Sequence, residues 1–277
     1  MDQGMSSGAG GGIELRPRGV GEILSAAFEL YTKNWQALMQ IVAIVAIPVS
    51  LIGYLITDQV IRKSVTVTTT TIAGTTVRVA SVNGGFWRAS LASALVAFLG
   101  VLIAQVLTGA ITRGAAGAFV GQPLAVGDAY SFGLARLWSI LWVSVLVGVI
   151  VGVGFLLFVI PGFIFLTWLS VSLPSLVIED QRGTTALGRS WNLVRGRAWP
   201  VFAVIVVAGL ITGLVNAIIT APFGHNWFVR GLLAGIAWTV TTPYTALVGV
   251  LLYLDLRTRK ENLDRPRLQS DLAASAP

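Results

Sequence analysis

Residues 138–178 read WSILWVSVLVGVIVGVGFLLFVIPGFIFLTWLSVSLPSLVI, 41 consecutive positions without Asp, Glu, Lys, Arg or His. A hydrocarbon core about 30 Å thick is crossed by about 20 apolar residues in a helix, so the run is too long for one span and suits two. Pro161-Gly162 divides it, since Pro removes a helix donor and Gly permits a reversal. The expectation is a span at 138–160, a tight turn at Ile160-Pro161-Gly162 and a returning span at 163–178. Four more uncharged stretches, 36–57, 89–112, 198–220 and 231–254, bring the spans to six.

Composition agrees. The 277 residues are 55% hydrophobic and 11% charged, with a mean hydropathy of +0.80, whereas soluble domains carry about 25% charged residues. Nine Trp suit membrane interfaces, where an apolar ring with one donor is favoured. The net charge of +7 has a membrane explanation, because basic residues flanking spans set orientation and meet anionic lipid; nucleic acid is not needed as a partner. Without Cys and with one His, the chain cannot form Cys/His zinc sites, thiol nucleophiles or disulfides. No cofactor is implied.

The chain is read as one membrane domain over 14–261. Residues 1–13, rich in Gly and Ser, form a disordered cytoplasmic tail, and the charged segment 262–277 is expected to fray. Of the 19 Lys and Arg, 14 fall on the side of the N-terminus and 5 on the other, which favours both termini in the cytoplasm.

A pattern precedes each odd-numbered span. Val20, Ile23, Leu24, Ala27, Phe28 and Tyr31 form one apolar helical face, Val126, Tyr130, Leu134 and Leu137 repeat it, and Leu187, Trp191, Val194 and Trp199 do so approximately. Val20-Gly21-Glu22 and Val126-Gly127-Asp128 share an opening, with an acid at the positive end of the helix dipole. The expected architecture is therefore all-α, with three repeats of a surface helix at 20–33, 124–137 and 184–197 followed by a hairpin of spans. Between the first two spans, Ser64–Thr68 and Thr76–Ala80 alternate with period two around Ala73-Gly74, giving a β-hairpin outside the membrane; disorder is the alternative, as a lone hairpin is marginal in water.

No ionisable residue lies within the six uncharged stretches, which argues against a proton relay or an ion-coupled transporter. A pathway would have to use backbone and Gln40, Gln105 or Asn216. Gly148/Gly152, Gly209/Gly213 and Gly231/Gly235 are spaced for close helix approach, and Pro48, Pro174 and Pro243 can kink spans. His225 stands alone in a short outside turn, and no GxSxG, Walker loop or HExxH is present, so no enzyme activity is expected.

Three segments carry a resemblance: Leu15–Leu24 (LRPRGVGEIL), Ala186–Gly196 (ALGRSWNLVRG) and Tyr253–Glu261 (YLDLRTRKE). Together they look like a bacterial membrane-protein family similar to the membrane domain that some glycerophosphodiester phosphodiesterases carry, and to stand-alone, mostly uncharacterised proteins of high-GC Gram-positive bacteria. The resemblance implies several helical spans. It does not bring phosphodiesterase activity, since the hydrolase domain and its paired histidines and carboxylates are missing.

Arg182, Arg189, Arg195 and Arg197 cluster in 179–199, where Trp191 and Leu187 are expected to face the bilayer. Guanidinium groups beside an interfacial indole suit lipid phosphate, so Arg189, Trp191, Arg195 and Arg197 are the expected contacts with anionic lipid or a cytoplasmic protein partner; a plain topology anchor is the alternative. The function expected is a non-enzymatic structural or accessory component of the bacterial plasma membrane. A carrier for a lipid-like or small neutral solute is the other class, and a polar cavity crossing the midplane would favour it.

Overall fold

An apolar helix of about 20 residues has nowhere to go in water, and a short helix with one apolar stripe needs a surface beneath it; the chain alternates the two. The computed structural model describes residues 15–72, 75–82, 86–122, 125–221 and 226–275. The expected tail at 1–13, the hairpin tip Ala73-Gly74 and His225 lie outside them.

The first unit holds α1 (Val20–Lys33), α2 (Trp35–Ser64), β1 (Val65–Ile72), β2 (Thr75–Val82) and α3 (Phe86–Phe119). The second holds α4 (Val126–Ala135), α5 (Leu137–Leu157), α6 (Val159–Trp168) and α7 (Ser172–Glu179). The third holds α8 (Thr184–Val194), α9 (Ala198–Thr220) and α10 (Trp227–Glu261), after which α11 (Arg265–Ala274) closes the described chain. Among the described residues, six helical segments are long and apolar enough to cross a membrane, with α6 and α7 together making the fourth. Exposed apolar side chains such as Leu156 (85%) and Ile160 (72%) belong to a lipid-facing surface. The protein is an all-α, multi-span integral membrane protein; β1 and β2, paired antiparallel from Val65–Val82 to Ile72–Thr75, are its only strands among the described residues.

The threefold pattern returns as a cyclic arrangement. Each short helix packs on the spans of another unit: α1 on α9 and α10, α4 on α2 and α3, α8 on α5, α6 and α7. Each first span packs on the returning span of that same unit, α2 on α10, α5 on α3 and α9 on α6, while α3, α7 and α10 meet around the centre. One hydroxyl per short helix seals the contact by donating to a main-chain carbonyl: Tyr31 to Val240 (3.2 Å), Tyr130 to Ile41 (2.5 Å) and Ser190 to Trp168 (2.7 Å). The corner into each first span also repeats. Asn34, Arg136 and Arg197 have φ of −118°, −102° and −133° with ψ of 18°, 11° and 24°, and Trp35, Trp138 and Trp199 follow, all exposed. Three exposed indoles, one or two residues past each corner, mark one interface.

Four expectations are corrected. The turn in the long apolar run sits at Phe158, whose extended backbone (φ −158°, ψ 152°) separates α5 from α6; Pro161 falls in the first turn of α6, where its missing N–H breaks no bond. The hairpin is tight because a Cβ on Gly154 would stand 3.0 Å from the Gly162 Cα. The returning span is not one helix at 163–178, since Leu169–Val171 interrupts it before Ser172 and Pro174 start α7. The C-terminal segment does not fray. Asp264 caps α11 by accepting from the Arg267 N–H (3.0 Å), and Leu268 and Leu272, one turn apart, are buried. Finally, Leu187 and Trp191 do not face outward: Leu187 is buried and Trp191 meets Trp168 edge-on at 3.7 Å between centroids.

Among the three glycine pairs, Gly231/Gly235 mediates close packing. A Cβ on Gly235 would meet the Ile47 Cα at 2.9 Å, and Ser50 Oγ donates to the Gly231 carbonyl at 2.8 Å, joining α10 to α2. Around Gly148, Gly152, Gly209 and Gly213 there is open space.

Candidate functional site

Helix α10 has 35 residues, about 52 Å at the usual rise, so it extends well past a core of about 30 Å. Its last turns reach the end of the bundle that carries both described termini, here called the base. There Arg257, only 2% exposed, donates to Glu261 (3.1 Å) and Asp271 (2.7 Å) and pairs with Glu179 (3.1 Å). Arg189 from α8 donates to the same Glu179 (2.8 Å) and to both oxygens of Glu261, and the Tyr253 hydroxyl donates to Glu179. Burial works against the Arg189 charge, but the hydrogen bonds it donates to Glu261 and Glu179 outweigh this and hold its pKa above the ordinary guanidinium range.

A second base contact joins the two chain ends. The Arg18 N–H donates to Asp255 (2.6 Å), Arg259 binds the Asp255 carboxylate (2.9 Å), and Arg259 also donates to the Arg18 carbonyl (2.7 Å). The three segments singled out in the sequence thus converge on the base, with contacts between positions up to 241 apart. Chemically this layer is saturated. Its guanidinium groups and carboxylates are paired with one another, and the described residues hold no group of three or more His, Cys, Asp or Glu suited to a metal.

The four residues singled out in the sequence separate here. Arg189 turns into the base and Trp191, half-buried, packs edge-on against Trp168, while Arg195 and Arg197 are exposed next to Trp199, itself 80% exposed. Lys260 fixes this corner by donating to the Asn192 (2.5 Å) and Arg195 (2.6 Å) carbonyls. Sequence reading missed Glu179, Tyr253, Arg257 and Asp271; its available signals were the i,i+4 pairs Asp255/Arg259 and Arg257/Glu261.

At membrane depth the structure builds a different feature, a groove of about 700 Å³ between α3, α9 and α10. Helix α7 packs on α3 and α10, but the break at Leu169–Val171 sends α6 to α5, α8 and α9, leaving room between α9 and the central pair. Gln105 and Thr108 line it from α3, Thr212, Asn216 and Thr220 from α9, and Thr241, Thr242 and Thr245 from α10. Gly209 and Gly213 form its open wall. Among the described residues the Gln105 and Asn216 carboxamides have no hydrogen-bond partner, whereas Gln40 does not line the groove.

The lining on α9 runs from Thr220, at the end remote from the base, to Gly209, about 16 Å along the helix. Beneath it, buried Val201, Val204 and Ala208 close the α9 interface. The groove therefore reaches from the far end to about mid-span. Among the described residues its lining contains no ionisable side chain. Such a site can hold an uncharged polar group by hydrogen bonds, and it offers no acid, base or nucleophile pair for covalent chemistry. No family profile, curated protein or solved structure matches the chain.

Proposed function

We propose that the chain is a non-enzymatic protein of the bacterial plasma membrane that accommodates the uncharged polar part of a lipid-like molecule, as a carrier or accessory in lipid handling. The supporting observation is the half-depth groove whose Gln105 and Asn216 carboxamides face an uncharged, Thr-rich lining. Polar side chains at membrane depth are costly unless paired, so two carboxamides in one groove call for a partner that supplies hydrogen bonds. Closure by Val201, Val204 and Ala208 fits a molecule held in one leaflet better than a permeation path. With the base in the cytoplasm, as the basic residues favour, that leaflet is the outer one. The reading keeps the proposed kinship with stand-alone relatives of the phosphodiesterase membrane domain, and assigns Arg195 and Arg197 with Trp199 to anionic headgroups on the cytoplasmic face.

Gly213→Phe provides the test. A Cβ there meets nothing within 4 Å, so the ring fills the groove without disturbing a packed contact. Native mass spectrometry of protein extracted from its own membrane should show a retained uncharged lipid that the variant loses. An identical lipid complement in both proteins would overturn the reading. A purely structural role is the second reading, favoured by a base whose charges are mutually satisfied.

A further inference from the structure

We infer that the groove selects a lipid that donates hydrogen bonds, one with a free hydroxyl or amide N–H and no charge; this deepens the proposed function and rests on it. A threonine hydroxyl has one proton and two lone pairs. In the groove five such protons are already committed to the carbonyl four residues back: Thr108 to Ala104 (2.8 Å), Thr212 to Ala208 (2.9 Å), Thr220 to Asn216 (2.8 Å), Thr241 to Ala237 (2.8 Å) and Thr245 to Thr241 (3.1 Å). What these hydroxyls offer a ligand is acceptor capacity alone.

The two carboxamide oxygens add further acceptors. Against them stand few donors, the two carboxamide NH₂ groups and the Thr242 hydroxyl. A ligand that only accepts, such as a phosphate diester, would face an excess of lone pairs with no cation to offset its charge. An ammonium would find acceptors and no counter-charge, at the cost of leaving water. An uncharged alcohol or amide meets the lining, and a neighbouring ester or amide carbonyl in the same ligand can receive the carboxamide N–H groups. The apolar part of such a molecule has a surface beside the groove, where Leu210, Leu214 and Ile218 of α9 are all more than 60% exposed.

The experiment uses the full chain in nanodiscs and three probes with the same photoreactive acyl chain: a diacylglycerol, its hydroxyl-methylated ether, and phosphatidic acid. The diacylglycerol should crosslink to α9 and α10 and exceed the other two by about tenfold, the weight of one or two buried hydrogen bonds. Asn216→Leu, at an exposed position, should remove most of that preference while leaving the protein folded. Equal groove crosslinking by alcohol and ether would overturn the donor rule and leave the groove as a lipid site. Preference for phosphatidic acid would also overturn it. Absence of groove crosslinks with every probe would overturn both this inference and the function it rests on.

Discussion

Replacing Arg257 with Met removes the guanidinium that joins α10 to α7 and α11. The side chain is 2% exposed and serves Glu179, Glu261 and Asp271, whose side chains are 11%, 20% and 24% exposed. In the native cluster two guanidinium groups face these three carboxylates; in the variant Arg189 alone remains. Removing one member of a buried ion pair costs about 3–5 kcal/mol, mostly from the charge left behind. Asp271 can turn toward water and Arg189 still bridges the two glutamates, which places the cost near the lower end, about 3 kcal/mol. For a chain of this size that lowers Tm by roughly 6–12 °C. Tryptophan fluorescence on heating in detergent reads the shift. Hydrogen exchange should localise it, with the α11 amides losing protection first because Asp271 no longer anchors that helix. Adding Asp271→Asn should return part of the loss, as it removes one of the orphaned charges. A Tm within about 1 °C of wild type, with α11 still protected, would refute the assignment of Arg257 as the base's central cation.

Other outcomes follow from the same geometry. Gly235→Val should cost about 1–3 kcal/mol, since its Cβ would meet Ser50 Oγ at 2.5 Å and Ile47 Cα at 2.9 Å, whereas Gly148→Val should be neutral; thermal unfolding of the two variants compares them directly. Changing Arg195 and Arg197 together to Gln should leave Tm within about 1 °C yet weaken vesicle binding in the presence of anionic lipid by roughly 30-fold, at about 1 kcal/mol per basic residue, and equal binding would reduce the corner to a topology anchor. Because the chain has no Cys, single cysteines at Thr75, Thr185 and Arg265 can be labelled without background; reagent applied outside the cell should reach the first and neither of the others.

Charge-free length was enough to count the spans, because a helix must satisfy its own backbone in lipid and about 20 residues are needed to cross. The short helices were legible for a similar reason: of the apolar face read on α1, Ile23 and Ala27 are buried, although Phe28 is 60% exposed and Leu30, outside that set, is buried with them. The hairpin between α2 and α3 was readable from period-two alternation. These are local properties, carried by neighbours in the chain. The partners of Arg189 were not, since Glu261 lies 72 positions away and only the cyclic packing of the units brings α8 beside the end of α10. Trp191 looked interfacial by composition and was placed inside by Trp168, a contact no periodicity encodes. The tail at 265–274 looked too polar to fold because Leu268 and Leu272 are few; what makes two leucines sufficient is a preformed surface on α7 and α3 and the Asp271–Arg257 bond. The groove follows the same logic. Gln105 and Asn216 each stood out as polar residues within an apolar stretch, but whether they faced lipid, each other or opposite sides depended on the break at Leu169–Val171, which carries α6 away from α3 and α10. The sequence by itself determined which segments enter the membrane, because hydration is paid residue by residue; which polar groups meet there was decided by tertiary packing, because that depends on distances between helices and not along them.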